Sequence, residues 1–413
     1  MRILSGRAAV ARVRKLADRG AQFGSVEPQV KRIVSDVRRN GDSALRKYAQ
    51  RWDGLAKDAS ILVEEEAMRD SWKASSSQFR SALQLAAKNI RQFCEWQKPK
   101  EWTRNRNGIS LGQLVRPLES VGCYVPGGRY PLVSTLLMTV IPAQVAGVKN
   151  IRVVSPQPRP EVLAAAGMLG IKEFYRVGGA QAIAALAYGT KTIPRVDKIV
   201  GPGNLYVTAA KKLVSFGCAI DFLAGPTEVV ILSDDGKSEF IAADLVAQAE
   251  HDPEALAVFI TTSSRLAKSV SAAVVSQSRQ NSLAKESLQR HGVVLLSSSH
   301  AQAIEWANLL AAEHITVSKR DVNEIHNAGS VFVGDYSPQA AGDYASGPSH
   351  VLPTAGGARF RGGLSVMDFV KLITVQELSS KGLNRIAPAI ECLAETEGLT
   401  AHAESIRIRS RRA

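Results

Sequence analysis

Seven histidines are scattered along the chain: His251, His291, His300, His314, His326, His350 and His402. Four of them have neighbours that can do chemistry. Gln248 precedes His251 by three positions, a spacing that puts both side chains on one face of a helix. An amide oxygen and an imidazole so placed can share a zinc ion. A histidine interacting with its own helix C-terminus is the plain alternative. Glu250 lies about 100° further round and points elsewhere. Glu313 and His314 are adjacent, and a carboxylate beside an imidazole suits general acid–base work. Neighbours on a strand face opposite sides. Both can serve one cavity only where a turn or helix end intervenes, which Ala311-Ala312 allows; a chance dipeptide is the alternative. Asp343 and His350 bracket Tyr344-Ala345-Ser346-Gly347-Pro348, which reads as a loop and so as a place for functional residues. A turn-forming Asp and a surface His would look the same. Glu397 and His402 lie either side of Gly398 near the C-terminus, where exposed helix ends are the alternative. His291, His300 and His326 sit in polar, turn-like surroundings and receive no role.

These residues need a scaffold. The first 60 residues read as helices, a second helical stretch covers about 64–96, and 96–116 is polar and turn-rich. From Val121 short apolar runs alternate with Ala-rich helical patterns. Strands are expected at 121–125, 151–155, 173–177, 198–200, 228–233, 257–262, 292–297 and 330–333. Helices are expected at 134–148, 160–169, 180–188, 240–251 and 304–312. Alternation of this kind implies βαβ units and a largely parallel sheet. Two consecutive α/β blocks are expected, split near Ala224-Gly225-Pro226, and the chain from about Met367 reads as mainly helical. In open parallel sheets ligands bind at the carboxyl ends of strands, where most of the Gly-rich segments fall. The dinucleotide fingerprint GxGxxG is absent, since neither Gly201-Pro202-Gly203-Asn204 nor Val177-Gly178-Gly179 matches it.

Composition narrows the function classes. The chain has 413 residues, 45% hydrophobic and 22% charged, which suits more than one globular core. Cys94, Cys123, Cys218 and Cys392 are far apart and form no CxxC pair, so they read as single buried thiols in a reducing compartment. The basic N-terminus lacks the continuous apolar core of a signal peptide. It reads as a surface amphipathic helix, with an organelle transit segment as the alternative. The most apolar stretch, 132–148, holds Pro142 and Gln144 and is shorter than the roughly 20 residues a membrane span needs. The formal net charge is +14, but the basic residues are dispersed among acids, and no basic patch is interleaved with aromatics as in a nucleic-acid surface. The tight run Arg407, Arg409, Arg411 and Arg412 reads as a solvated tail.

Taken in order, these segments resemble histidinol dehydrogenase. The resemblance runs from Asp36-Val37-Arg38-Arg39-Asn40-Gly41-Asp42 to Glu397-Gly398-Leu399-Thr400-Ala401-His402. Between them lie Gly122-Cys123-Tyr124-Val125-Pro126-Gly127-Gly128, Gly201-Pro202-Gly203-Asn204, Ala224-Gly225-Pro226-Thr227-Glu228, Gln248-Ala249-Glu250-His251-Asp252, Glu313-His314 and Ala341-Gly342-Asp343-Tyr344-Ala345-Ser346-Gly347.

The resemblance implies a cytoplasmic α/β enzyme with two incomplete Rossmann-like parallel-sheet domains and helical extensions at both ends. The implied partition is a helical arm over 1–25, one domain from 26–120 with 227–366, an NAD-binding domain over 121–226, and a helical segment over 367–413 exchanged in an intertwined homodimer. It implies a four-electron oxidation of L-histidinol to L-histidine through the aldehyde, with two NAD and one zinc per subunit. Zinc would be held by Gln248, His251, Asp343 and His402, and NAD by Tyr124, Gln181 and Asn204. Substrate contacts would be Thr227, Gln248, His251, His314, Asp343, His350, Glu397 and His402, with Glu313 and His314 catalytic. The competing reading keeps fold, zinc and NAD but takes another polar alcohol; His350 and Glu397 favour histidinol.

Overall fold

The computed structural model describes residues 1–20, 24–127 and 131–410. Continuous apolar runs form its central strands. Glu228–Leu232 and Leu256–Thr261 are buried at every position, as expected of parallel strands covered on both faces by helices. Two six-stranded sheets result. In the first, the strands from Glu228 onward lie in the order 3-2-1-4-5, all parallel. The second repeats that order from Ser120–Tyr124 onward. Two α/β sheets were expected, and the order shows that each is a doubly wound sheet lacking only its sixth strand. No helix among the described residues is long and apolar enough to cross a membrane.

Several elements differ from the sequence reading. The chain begins with a strand, Arg2–Ser5, pairing in parallel with Val293–Leu296 before the helix Gly6–Ala17. Four residues of mixed polarity carry too little periodicity to announce an edge strand. Residues 27–97 pack largely on the second sheet, and the helix Ser77–Gln97 also touches Ala345 and shares a core with Val351, Leu364 and Val366. Val30, Ile33, Val37 and Leu45 share a core with Ile183 and Val207, Leu83 and Ile90 share one with Leu137 and Phe174, and Leu62–Val63 adds an antiparallel edge strand. An apolar stripe says that a helix face is covered, not by what.

The turn-rich stretch 96–116 is a β-hairpin. Trp102–Arg106 pairs with Ile109–Pro117 around Asn107-Gly108, both at positive φ (56° and 81°). That is the turn that Asn-Gly favours between strands. The C-terminal segment is not wholly helical either. Val370–Leu378 pairs antiparallel with the full length of Ile109–Pro117, and only then do the helices Ser380–Thr396 and Thr400–Ser410 follow. Of the four thiols, Cys392 is exposed, contrary to expectation. Arg407 is no free tail residue, because it pairs with Glu391, Glu395 and Glu404. Arg411 and Arg412 lie outside the described residues.

One buried ion pair holds the turn after Lys198–Val200. Lys211 and Asp221 are 2% and 5% exposed. Lys211 Nζ donates to Asp221 and, at 2.9 Å, to the Gly201 carbonyl. Asp221 accepts the amides of Gly201 (2.7 Å) and Phe222 (2.6 Å). Removing one partner of such a pair leaves an uncompensated buried charge, at about 3–5 kcal/mol. Lys211→Met is therefore expected to lower unfolding free energy by roughly that amount in urea titrations. A loss under about 1 kcal/mol would show that the pair contributes little.

Candidate active site

The acid–base residues gather at the amino ends of two neighbouring strands of the first sheet. Glu228 opens one strand and His314 opens the other, with Val229 opposite His314 in the ladder. Ala311, at φ 45°, ends the helix His300–Leu310 and turns the chain into that strand. The bend lets adjacent residues share one site: the Glu313 carboxylate lies 3.5 Å from His314 Nδ1. Glu313 Oε2 accepts from Thr227 Oγ1 (2.5 Å) and from the Glu228 amide (2.8 Å). Thr227 Oγ1 in turn accepts from Gln248 Nε2. That contact turns the Gln248 amide so that its oxygen has no hydrogen-bond partner among the described residues.

His314 Nδ1 also donates to the Glu228 carbonyl at 3.2 Å, which leaves Nε2 facing Asp343 Oδ1 at 3.6 Å. Burial alone would lower the His314 pKa; the charges of Glu313 and Asp343 outweigh it and push it up to about 10. Burial would raise Asp343, but the bond and charge of His314 hold it below the usual carboxylate range, with His350 and His251 adding to the effect. Asp343 lies on a short helix, Gln339–Tyr344, not in the loop expected there. His350 Nδ1 donates to the Asp343 carbonyl (2.8 Å), so Nε2 is the acceptor facing Thr135 Oγ1. Burial lowers its pKa, in keeping with a neutral ring.

The Gln248–His251 pair straddles the helix end. Ser238–Ala249 is helical, Gln248 is buried and His251 is exposed just beyond it. His251 borders a cavity of about 660 Å³ shared with Leu137, Tyr344 and Glu250. His314 and His350 border another of about 490 Å³ beside Phe332. Thr227, Gln248, Glu313, His314, Asp343 and His350 are thus brought together, with His251 at their edge. Glu397 and His402 are not. Both are exposed on the C-terminal helices, with no side-chain hydrogen bond to the others among the described residues.

Tyr124, Gln181 and Asn204 converge elsewhere. They line a cavity of about 460 Å³ at the carboxyl ends of the second sheet, the usual place for a ligand in such a sheet. Tyr124 ends its strand, and its hydroxyl accepts the Gly179 amide at 3.0 Å. Asn204 caps the helix Leu205–Val214 by accepting from the amides of Tyr206 and Val207. Gln181 Nε2 donates to Asp53 Oδ2 at 3.1 Å.

Comparison with known proteins settles the family. The histidinol dehydrogenase family model matches residues 17–410. The histidinol dehydrogenase of Methanothermobacter thermautotrophicus is 47% identical over 393 residues, covering 92% of each chain. That of Methanosarcina mazei is 44% identical, covering 97% of this chain and 95% of its own. The crystal structure of the Elizabethkingia anophelis enzyme superposes with a TM-score of 0.95 at 36% identity, covering 100% of this chain and 98% of that one. The chain belongs to the histidinol dehydrogenase family.

As a histidinol dehydrogenase it is an oxidoreductase, and three further residues enter its two sites that the sequence reading passed over. Glu228 is buried in an otherwise apolar strand, which itself signals a partner, because buried charge must be paired. That partner is Arg19, whose Nε and Nη2 reach Glu228 at 2.6 and 2.5 Å. Trp52 and Asp53 line the second-sheet cavity, and nothing in their local spacing announces it. The Thr227 hydroxyl is the hub between Glu313 and Gln248, and hydrogen bonds to charged groups contribute about 1.5–3 kcal/mol. Thr227→Val is expected to lower kcat/KM roughly ten- to hundredfold, while Thr227→Ser stays near the parent. Steady-state kinetics on the folded variants check this, and equal loss in both would remove the hydroxyl from the account.

Proposed function

We propose that this chain catalyses the zinc-dependent, NAD-linked four-electron oxidation of L-histidinol to L-histidine through L-histidinal, the last steps of histidine biosynthesis, as an intertwined homodimer. The observation that carries the reading is the buried Glu313–His314–Asp343 constellation in a chain of this family.

The donor chemistry suits zinc. Gln248 offers an amide oxygen, His251 an imidazole and Asp343 a carboxylate, all ligand types the ion takes. Among the described residues no three His, Cys, Asp or Glu converge on a possible metal position. Gln248, His251 and Asp343 are three donors from one chain, and His402 of a second copy would be the fourth of a tetrahedral set. The 460 Å³ cavity with Tyr124, Gln181 and Asn204 suits the dinucleotide. Bound zinc would act as a Lewis-acidic template for the substrate's imidazole and amine, and NAD as hydride acceptor.

The chain's own groups do the proton work. His314 Nε2 takes the carbinol proton as hydride departs. With both carboxylates free, that imidazole holds its proton. Engaging Asp343 with a cation withdraws one of them and returns His314 toward a base. Glu313, one oxygen held by Thr227 and the Glu228 amide, uses the other to activate water for hydration of the aldehyde. The hydrate then yields the second hydride. Asp343, Glu397 and Glu313 supply counter-charge to the cationic substrate, which the net charge of +14 does not attract. The anionic dinucleotide suits the basic surface.

Exposed apolar side chains support the dimer. Leu372, Ile373 and Val375 on the long C-terminal strand, and Leu393 and Leu399 on the helices that follow, are 41–64% exposed. Apolar side chains left exposed along such an arm suit an interface. We assign no nucleic-acid partner and no membrane association.

Stoichiometry tests the reaction. Limiting L-histidinol is expected to give about two NADH per substrate, since each two-electron step reduces one dinucleotide. One NADH, or none with zinc supplied, would sink the assignment. His251→Ala is expected to lose bound zinc by elemental analysis, whereas His314→Ala retains it yet turns over at least about a hundredfold more slowly.

Subunit mixing tests the shared site. His402→Ala and His251→Ala are each expected to be inactive. Co-refolded, they should regain about a quarter of parental activity, because half the dimers are mixed and one site in each is intact. No recovery despite confirmed mixed dimers would place His402 outside the partner's site.

A further inference from the structure

Asp53 follows the helix Asp42–Trp52 and is 7% exposed, yet it lines the cavity at the carboxyl ends of the second sheet. One of its oxygens is fully used. Oδ2 accepts from the Gly178 amide at 3.0 Å and from Gln181 Nε2 at 3.1 Å. The other, Oδ1, has no hydrogen-bond partner among the described residues, and it is not sealed from the cavity. Burial raises the Asp53 pKa, while the two N–H donors on Oδ2 favour the ionised form. The cavity therefore contains a carboxylate oxygen with unspent acceptor capacity.

Its surroundings say what that oxygen meets. The helix Gly179–Tyr188 points its N-terminus at the cavity, and such a terminus commonly holds phosphate. Here the Gly178 and Gly179 amides are already taken, by Asp53 and by the Tyr124 hydroxyl. The Asn204 side chain likewise caps the neighbouring helix. A phosphate at Asp53 would meet a negative charge and spent amides. A hydroxyl would meet an acceptor. None of Glu313, His314 and Asp343 lines this cavity, so the reacting nicotinamide belongs elsewhere and the adenosine half belongs here.

We propose that Asp53 is a specificity-determining residue of the dinucleotide cavity, its Oδ1 accepting a hydrogen bond from a hydroxyl of the adenosine ribose and excluding a phosphate there. The proposal rests on the reading of this cavity as the NAD site. It makes the enzyme selective for NAD+ over NADP+ by the charge of one buried side chain.

Asp53→Asn tests it with little change of shape. The Asn oxygen can keep the Gly178 and Gln181 bonds, and its amide then donates where the carboxylate accepted. Calorimetric titration of the zinc-loaded enzyme with NAD+ and NADP+ is expected to show a clear parental preference for NAD+. In Asp53→Asn that preference should fall about tenfold or more, with NADP+ binding tighter and NAD+ weaker. If both affinities fall together and the ratio holds, Asp53 only supports the loop and the proposal fails. A second measurement needs no variant. NAD+ analogues lacking the adenosine 2′- or 3′-hydroxyl are titrated against the parent enzyme, and the 2′-deoxy analogue is expected to bind about tenfold more weakly, whereas a loss confined to the 3′-deoxy analogue would overturn the selectivity. Equal binding of both analogues and NAD+ overturns the proposal. Trp52→Ala, a change at an exposed wall of the same cavity, separates the two levels. It should weaken NAD+ roughly fivefold or more through lost stacking. Unchanged NAD+ affinity there would remove the dinucleotide from the cavity, and Asp53 with it; a Trp52 effect without an Asp53 effect would overturn only the role of Asp53.

Discussion

Two carboxylates, Glu228 and Glu313, are buried side by side at the amino ends of adjacent parallel strands, and much of the structure answers to them. Burying each charge costs several kcal/mol unless it is paired and hydrogen-bonded. Burial pushes the Glu228 pKa up, and the charge of Glu313 adds to that. The fold responds from three directions. Arg19, just past the first helix, pairs with Glu228 in a two-pronged contact and also donates to the Leu310 carbonyl. The Ala355 amide donates to Glu228 from a distant segment at 3.0 Å. Glu313 is satisfied separately, by the Thr227 hydroxyl and the Glu228 amide. Arg359 ties the same corner once more, donating to the carbonyls of Ala17 and Leu309. The N-terminal arm, the first sheet and the 351–359 segment thus meet at one point, and Glu313 is held in place before any ligand arrives.

The two sheets share a strand order but use opposite ends. The second holds its cavity at the carboxyl ends of its strands, where an open parallel sheet ordinarily binds ligands. The first places its acid–base residues at the amino ends. Its carboxyl ends instead carry His300, clamped between Asp234 (3.2 Å) and Asp321 (2.9 Å). Both ring nitrogens face carboxylates, and the bond to Asp321 leads the causes that raise the imidazole pKa. At the corresponding end of the first sheet this histidine links the segments that follow two of its strands. A site at the amino ends exists because Ala311 reverses the chain there and brings Glu313 and His314 to one side.

How much of this was legible in the sequence follows from what local patterns encode. The apolar runs at 228–233 and 257–262 specified buried parallel strands, because only both-face burial explains uninterrupted apolar residues. The need for a bend between Glu313 and His314 was readable from strand geometry alone. Three things were not. Asn107-Gly108 carried a hairpin signal, but exposed polar neighbours such as Arg104 and Arg106 hid its strands. The helix Glu27–Asn40 showed an apolar face without naming its cover. The path between Arg19 and Glu228, 209 residues apart in the chain, has no local signature at all. Motif resemblance supplied the site set that spacing could not, and it offered no hint of Asp53 or Arg19.

The C-terminal arm completes the physical picture. Val370–Leu378 gains its backbone partners from Ile109–Pro117, so its hydrogen bonding is satisfied within the chain. Its side chains are not: Leu372, Ile373, Val375 and Leu378 remain 37–45% exposed. Exposed apolar area of this kind favours association, at about 25 cal/mol per Å² removed from water. No other described residue covers these side chains fully, and the same arm carries Glu397 and His402 away from the residues they are proposed to join. The zinc set proposed above takes its fourth donor from a second copy, and the arm exposes apolar side chains on both faces of its strand. Under the proposed reading a second copy supplies the donor and covers the arm. The burial that drives association also delivers His402, so the site is assembled only in the state in which the arm is covered.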